Sequence, residues 1–317
     1  NGNSYSGEWK NNLKNGQGTL TYVNGEKYMG QWKNGDMKGI GSFQYLNGDH
    51  YSGHWEKNKI HGQGTFTYSN GNNYEGEWES NYKSGHGTFK TLANGFTYEG
   101  EWIEDQKNGK GIYTSSFGDK YEGDFLDGKM EGKGIFTSSI GDVYTGEWQN
   151  DKMNGKGKLT YSNGELYEGN FKNDQLNGKG DFTYSNGDIY SGEWKSDLKD
   201  GQGINTYSNG NNYSGDWKLG EMSGHGIYTY SNGNIYEGSF LNGLKNGSGL
   251  YKYSNGNSYE GEFFNDTFHG EGTFIYQNGN IYSGDFKQGK MEGFGTFSES
   301  NGKTVKGEWK NGKPLNW

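Results

Sequence analysis

Acidic side chains recur at one position of a regularly spaced pattern in this sequence. The members of this row are Glu8, Glu77, Glu101, Asp124, Glu147, Glu193, Asp216, Glu262 and Asp285. Glycoside hydrolysis, the reaction that two carboxyl groups most often perform together, needs one particular pair in a cleft. A row of equivalent carboxylates singles out no such pair. We therefore interpret the row as a solvated polar face and not as a catalytic site.

The remaining chemically active residues predict no metal site, cofactor or catalytic residue. The chain has six histidines and no cysteine, so a thiolate site is excluded. His50 and His54 share one face of a predicted strand, but four strand residues span about 13 Å, too far for one ion. The recurring Gly-x-Gly, as at Gly16 and Gly18, is followed by no helix and does not match a dinucleotide-binding fingerprint.

The most regular pattern of charge that suggests a binding site is a row of lysines. Lys110, Lys133, Lys156 and Lys179 stand between paired glycines in four successive repeats. Copies at one position of neighbouring repeats are about 10 Å apart, two strand spacings, which predicts a basic ridge. The ridge is suited to an acidic partner or an anionic phospholipid head group; the alternative is a solvated row that balances nearby acids. The net charge is −9 and every basic residue is lysine, so we expect no nucleic-acid binding.

These residues belong to a repeat that begins at a tyrosine, which we call the anchor and number 0. The spacing is 23 residues, with one step of 24 between Tyr74 and Tyr98. Val305 takes the place of the anchor in the fourteenth copy. The anchors are Tyr5, Tyr28, Tyr51, Tyr74, Tyr98, Tyr121, Tyr144, Tyr167, Tyr190, Tyr213, Tyr236, Tyr259 and Tyr282.

Glycine and aromatic residues keep fixed positions relative to the anchor. Every glycine falls at −3, +2, +7, +11 or +13, an aromatic ring always occupies +4, and rings are usual at +15 and +17. This period of two predicts two short strands per repeat. Only 28% of the chain is hydrophobic and 17% is aromatic, so a thin layer of rings replaces an aliphatic core. We predict an all-β fold, an elongated single-layer antiparallel ribbon of stacked hairpins, with rings lying across glycines on one face.

The connections within this ribbon are predicted from the residues between the strands. Residues +5 to +10 are expected to form a six-residue loop, and the Asn-Gly at −4 and −3 a tight turn into the next repeat. A lone apolar residue in each loop is interpreted as a peg that pins the loop to the sheet edge. Examples are Leu13, Met37, Ile60, Met130, Met153, Leu176 and Met291.

The unit Tyr-x-Gly-x-Trp followed by Gly-x-Gly resembles the MORN repeat (membrane occupation and recognition nexus). In the seventh copy it is carried by Tyr144, Gly146, Trp148, Gly155 and Gly157. The resemblance covers essentially the whole chain. It implies one β-hairpin per repeat, an aromatic groove, and binding rather than catalysis. It further implies homodimers through terminal repeats in some members, and a role in ciliary, cortical or membrane-junction assemblies of eukaryotic cells.

The predicted organisation is one continuous array over residues 1–317. The pattern loosens over about 91–140, where Thr91, Ser115 and Ser138 replace the +17 tyrosine, and we expect a bend or a change of groove width there. Asn205 in place of the +15 ring is a second local weakness. Residues 305–317 are predicted to form a cap, with Pro314 blunting the last edge.

The leading hypothesis is a non-enzymatic scaffold that binds a helical or extended partner segment along the aromatic groove. A cytoplasmic, cytoskeleton-associated setting, such as a cilium or the cell cortex, fits the family. Three alternatives are a membrane-surface module that binds anionic lipid through the lysine ridge, the array of a larger enzyme such as a phosphoinositide kinase, and an extracellular repeat that binds choline or glycan. The predicted groove residues are Tyr121, Phe125, Tyr144, Trp148, Tyr167, Phe171, Tyr190 and Trp194.

Overall fold

A computed structural model describes residues 2–315, and all regular secondary structure in that range is β. By internal contacts the chain divides into two compact units, one up to Ser162 and one from Asn163 onward. Each unit is a single layer of antiparallel strands in which every strand pairs with its neighbours in sequence order. The predicted all-β fold of stacked hairpins is confirmed.

The first unit contains fourteen strands in seven hairpins. Pairing is sequential and antiparallel from the first strand to the last. The strands are β1 Ser4–Lys10, β2 Leu13–Thr21, β3 Lys27–Lys33, β4 Asp36–Gln44, β5 His50–Glu56, β6 Lys59–Thr67, β7 Asn73–Glu79, β8 Tyr82–Lys90, β9 Thr97–Ile103, β10 Gln106–Thr114, β11 Lys120–Leu126, β12 Lys129–Thr137, β13 Val143–Gln149 and β14 Lys152–Thr160.

The second unit repeats the arrangement with the same sequential pairing. Its last strand is only two residues long. The strands are β15 Leu166–Lys172, β16 Gln175–Thr183, β17 Ile189–Lys195, β18 Leu198–Thr206, β19 Asn212–Lys218, β20 Glu221–Thr229, β21 Ile235–Leu241, β22 Leu244–Lys252, β23 Ser258–Phe264, β24 Thr267–Ile275, β25 Ile281–Lys287, β26 Lys290–Ser298, β27 Thr304–Lys310 and β28 Lys313–Pro314.

The hairpin loops are shorter than the six residues predicted, and that prediction is wrong. In the first repeat, β1 runs to Lys10 and β2 begins at Leu13, leaving Asn11 and Asn12 as the only turn residues. Both have positive φ, 50° and 61°, as a two-residue type I′ turn requires. Asn, Asp, Ser or Gly at +6 and +7 accept this left-handed backbone at low cost in most repeats, so the strands extend to the turn on both sides.

The connections between repeats are the tight turns predicted at Asn-Gly. Gly25 N donates to Tyr22 O, and Tyr22 N donates to Glu26 O. Most turns are also connected to the next, because a side-chain oxygen of one turn accepts a backbone N–H of the following one, as Asp49 does from Ser69 at 2.8 Å. Hydrogen bonds of this kind run along the turn edge of each unit.

A bulge in thirteen of the fourteen hairpins determines where glycine is required. Gly7 pairs with Gly18 and Trp9 pairs with Lys14, so one residue of β1 faces three residues of β2. Gly16, in the middle of the three, has φ of +68°, a conformation that costs other residues strain. The bulge leaves the backbone carbonyl of Glu8 without a partner in that hairpin, and it accepts the hydroxyl of Tyr5 instead at 3.0 Å.

Each anchor tyrosine lies across the two paired glycines of its hairpin. A Cβ atom added to Gly30 or Gly41 would overlap the Tyr28 hydroxyl, and at Gly41 the ring as well. The hydroxyl then donates to the carbonyl of residue +3, a bond present in thirteen repeats at 2.8 to 3.1 Å. Burial raises the pKa of these phenols, for example Tyr28 and Tyr236, so they remain neutral donors. The predicted stacking of rings over glycines is confirmed.

The anchors and the +4 rings form an alternating ladder along each unit. Tyr28 meets Trp32 of its own repeat edge-to-face at 5.1 Å and Trp55 of the next at 5.3 Å. The Trp32 indole also donates to the backbone carbonyl of Gly18 at 3.2 Å. Twelve anchors are almost completely inaccessible to solvent. This inner ladder is the core of the protein, since no second layer packs against either sheet in the described range.

The loosened region and the end of the chain keep the strand pairing. The extra residue of the fourth repeat is absorbed in the turn between Thr91 and Phe96, and Lys90 still pairs with Thr97. The expected bend over 91–140 stays a prediction. The predicted cap contains β27 and β28, with Trp309 paired to Pro314; its last residues, 316–317, lie outside the described range.

Replacing one paired glycine by alanine is expected to destabilise the second unit. A Cβ at Gly238 would lie 2.5 Å from the Gly249 Cα and 2.6 Å from the Tyr236 hydroxyl, so Gly238→Ala should cost about 1–3 kcal/mol. Gly307→Ala is the matched control at the same position. Val305 replaces the anchor there, and no atom lies within 4 Å of a Cβ added at Gly307. We therefore expect the free energy of unfolding to change by no more than about 0.5 kcal/mol. Equal denaturant midpoints for the two variants would contradict the role of the tyrosine.

Candidate partner-binding face

The eight rings predicted to line a groove lie in the inner ladder. Their side chains are between 0% and 6% exposed, because neighbouring rings and the glycine backbone enclose them. Tyr121, Phe125, Tyr144 and Trp148 lie in the first unit, and Tyr167, Phe171, Tyr190 and Trp194 in the second. Their role in binding stays a prediction. Sequence periodicity places these rings on the correct face but does not distinguish the covered rings from the accessible ones.

A second row of rings on the same face is half-buried except at Phe43 and Phe182, which are 8% exposed, and we call it the outer ring row. It consists of the aromatic residues at +15 and +17. In the first unit Phe43 contacts Tyr45 at 4.5 Å, Tyr45 contacts Phe66 at 5.6 Å, and Phe66 contacts Tyr68 at 4.6 Å. Ring contacts connect the row from Tyr22 to Tyr113. The outer ring row is therefore the accessible apolar surface of this face.

The second unit carries the same row with one interruption. Phe182 contacts Tyr184 at 4.4 Å, and Tyr207 begins a further series of contacts that ends at Phe297. Between them, Asn205 occupies the +15 position and is 1% exposed. A depression with a volume of about 380 Å³ opens here, lined by Tyr184, Tyr207, Lys199 and others.

The residue at +9 covers the ladder beside the outer ring row. Met37, Ile60 and Leu176 are buried there and pack on the ring face. The prediction that these residues pin the loop to the sheet edge is therefore wrong. Leu13 lies one position earlier and is exposed. In five repeats the +9 residue is instead a lysine whose ammonium lies over aromatic rings. These lysines are Lys14, Lys83, Lys107, Lys199 and Lys245.

Lys199 has the most altered environment among these lysines. Its ammonium lies 4.6 Å from the ring centroids of Tyr190 and Trp217 and donates to Asn205 Oδ1 at 2.6 Å. Burial lowers the pKa of Lys199 to about 8, although the nearby carboxylate of Asp188 acts in the opposite direction. The Nδ2 atom of Asn205 is buried and has no hydrogen-bond partner.

The acidic residues at +3 have a structural role that the sequence analysis missed. Glu8 Oε1 accepts the backbone N–H of Gln17 at 2.9 Å, and Asp216 Oδ2 accepts that of His225 at 2.8 Å. These bonds span the bulge and satisfy an N–H that the ladder leaves open. The interpretation of the row as a merely solvated face is therefore incomplete. The constant spacing of nine residues between the acid and its N–H partner is the sequence pattern from which these bonds could have been predicted.

The lysine ridge residues are all exposed, and acids face Lys110, Lys133 and Lys179 on the next strand. Lys110 forms an ion pair with Asp124, and Lys133 lies in register with Glu147. Lys179, in the second unit, lies in register with Glu193. Opposite charges at directly paired positions reduce the local positive potential. The function of the ridge, including that of Lys156, stays a prediction.

The most exposed apolar side chains lie at the turns of the first unit. They are between 70% and 82% exposed and are Val23, Leu46, Leu92, Phe117 and Ile140. The turns of the second unit carry Ser, Asn or Gln at the same positions. Within residues 2–315, no group of three or more acidic or histidine side chains is arranged to hold a metal ion. Nor does this range contain a long apolar helix of the kind that crosses a membrane.

These features define a repeat protein built from stacked β-hairpins that presents one accessible row of rings. The chain belongs to the MORN repeat family, and the family model matches fourteen consecutive segments, as predicted. The segments are 5–27, 28–50, 51–73, 74–91, 98–120, 121–143, 144–165, 167–189, 190–212, 213–235, 236–258, 259–281, 282–304 and 306–314. No curated protein matches the chain by overall sequence.

Several solved structures show a weaker likeness. The TCP domain of Drosophila melanogaster SAS-4 (dCPAP), solved with a proline-rich motif of Ana2, is 13% identical over 63% of this chain and 90% of that chain, with a TM-score of 0.29. The TCP10 domain of Danio rerio CPAP is 8% identical over 92% and 99%, with a TM-score of 0.18. Virginiamycin B lyase from Staphylococcus aureus is 11% identical over 77% and 83%, with a TM-score of 0.15. At these scores we draw no functional inference from them.

The charge of Lys199 is expected to make stability depend on pH. Its folded-state pKa of about 8 lies below the value near 10.4 of an unfolded chain. The folded state therefore disfavours the proton, and stability should rise as pH increases from about 8 towards 10. The Lys199→Met variant introduces methionine, which Met37 and Met222 already provide at the same repeat position. This variant should be more stable than the unchanged protein at pH 7, and its stability should not rise between about pH 8 and 10. An identical pH dependence of the unfolding midpoint in both proteins would contradict the assignment.

Proposed function

We propose that this protein is a non-enzymatic interaction scaffold whose outer ring row binds an apolar segment of a partner protein. The observation that carries the proposal is the exposure of this row in a single-layer fold. The inner ladder is already covered by its own rings, whereas most rings of the outer row are partly exposed and no other described element packs on them. Continuous apolar surface of this kind on a folded protein usually marks an interaction site.

The spacing of the row suits an extended or helical segment that runs across the strands. Successive copies are separated by about 10 Å, two strand spacings, so the row offers an anchoring ring at regular intervals. Aromatic rings provide large contact areas at low cost in conformational entropy. A cytoplasmic location in a cytoskeletal or ciliary assembly is part of the proposal, supported by the family alone.

The proposal is tested by removing rings from the outer row while leaving the inner ladder intact. Tyr45→Ser combined with Tyr68→Ser should reduce recovery of the partner from an extract of the native cells by tenfold or more. The fold should accept serine here, because Ser115 and Ser138 occupy the same position in other repeats. This variant is sharper than Trp148→Ala, which would also remove a buried indole and its bond to Gly134.

The control is Leu46→Ser, which removes an exposed apolar side chain from the turn edge next to Tyr45. Leu46 is 70% exposed, and serine occupies its position in later repeats. The control should recover the partner as well as the unchanged protein does. Full recovery with the double tyrosine variant, its fold verified by circular dichroism, would refute binding through the outer ring row.

A second candidate function is attachment of the first unit to a membrane surface through its turns. The exposed apolar side chains there stand singly at turn tips, about 10 Å apart in neighbouring repeats and about 20 Å apart where Ser69 lies between Leu46 and Leu92. This row suits shallow insertion below the head groups of a bilayer. It differs from the lysine ridge, because apolar insertion does not require anionic lipid.

Vesicle pelleting distinguishes these two routes to a membrane. The chain should pellet with neutral phosphatidylcholine vesicles, and Leu92→Ser with Phe117→Ser should reduce the bound fraction severalfold. Phe294→Ser is the control, because Phe294 is 68% exposed on the polar face of the second unit. Binding that requires anionic lipid and disappears at high salt would instead support the lysine ridge, and no binding to either vesicle would exclude both routes.

A further inference from the structure

The ninth repeat lacks a ring that its surroundings are arranged to hold. In the second repeat the +15 ring, Phe43, contacts Tyr22 at 5.9 Å, Tyr45 at 4.5 Å and Trp55 at 6.0 Å. The equivalent neighbours in the ninth repeat are Tyr184, Tyr207 and Trp217, and all three are present. Asn205 replaces only the central ring. The depression described above is lined by Asn205 itself and by two of these neighbours, Tyr184 and Tyr207.

The polar groups in the depression are unusual for the interior of this protein. Asn205 is one of two buried polar residues in the described range. Its Oδ1 accepts from Lys199, whereas its Nδ2 donor has no partner. Buried donors in proteins are nearly always hydrogen-bonded, so an unpartnered one requires an explanation. The Lys199 ammonium, 5.1 Å from the Tyr184 centroid, is placed to face a further aromatic ring.

We propose that this depression, the ninth-repeat notch, binds a phenol: the tyrosine side chain of a partner segment, which supplies the missing ring. The phenol ring contacts Tyr184 and Tyr207 and turns its face to the Lys199 ammonium. Its oxygen accepts a hydrogen bond from Asn205 Nδ2. The inference rests on the proposed function, because a segment that follows the outer ring row of the second unit crosses the notch between Tyr184 and Tyr207.

The surrounding charges favour a phenol over a carboxylate. Asp188 and Asp197 line the notch, and each already accepts a backbone N–H, from Ser208 and Leu176 respectively, at 2.8 Å. Two carboxylates beside one ammonium repel a further anion. A purely apolar ring would fill the space but leave Asn205 Nδ2 without a partner, which costs binding free energy. A neutral ring with an acceptor oxygen satisfies both conditions.

The experiment uses p-cresol, the side chain of tyrosine, as a probe of the full chain. Titration is followed by the side-chain amide signals of asparagine in nuclear magnetic resonance spectra, with the Asn205 signal assigned by its loss in Asn205→Leu. We expect saturable binding of p-cresol with a shift of the Asn205 signal. Toluene should bind about tenfold more weakly, because it offers no acceptor, and acetate should not bind.

Two variants with residues that this chain already uses at +15 serve as controls. Asn205→Phe fills the notch with the ring found in Phe43 and should abolish binding of both aromatic probes. Asn205→Leu, with the residue of Leu20 and Leu159, should bind p-cresol and toluene with equal affinity, because it removes the amide. Circular dichroism verifies the fold of each.

Each other outcome overturns the inference. An absence of saturable p-cresol binding shows that the notch takes no phenol. Equal affinity of the unchanged protein for p-cresol and toluene removes the role of Asn205, and binding that survives Asn205→Phe places the probe elsewhere. None of these results bears on partner binding by Tyr45 and Tyr68 in the first unit, so the proposed function is tested separately.

Discussion

The contact between each anchor tyrosine and two paired glycines determines the rest of the structure. A single sheet has no second layer to exclude water, so a ring that lies flat on bare backbone forms the core. The contact requires glycine at +2 and +13, since any Cβ there would overlap the phenol. It also requires the bulge, because the carbonyl freed at +3 is the hydrogen-bond acceptor that holds the hydroxyl. Thirteen repeats keep all of these features together.

This way of building a core also decides which surface is available to a partner. Within each unit, the rings of the inner ladder enclose one another, as Trp32 and Trp55 enclose Tyr28. On this face, most of the accessible aromatic surface lies one row further out, at +15 and +17. Residues there contact one another at 4.4 to 6.1 Å, and most of them are not fully enclosed. Stability and binding therefore depend on different rings of the same repeat.

Variation between repeats is concentrated where the core does not require identity. The anchors and paired glycines hardly vary, whereas +9 alternates between Met, Leu, Ile, Phe and Lys, and the turns differ between the two units. Lysine at +9 keeps its aliphatic stem over the rings and its charge near their faces, so it can replace methionine. Asn205 is the one +15 residue that breaks the apolar pattern, and it leaves both a space and an unpartnered donor.

The sequence by itself determined the fold class, the repeat length, the number of strands and the face that carries the rings, because a period of two and fixed glycine positions are local properties of the chain. The repeated motif also indicated the family. Only the tertiary structure showed that hairpin loops have two residues and that the +3 carboxylates bond across the bulge. It alone separated covered rings such as Trp148 from half-exposed rings such as Tyr68. These features depend on which strand lies beside which and on how far a side chain is enclosed by its neighbours, and residue spacing does not contain that information.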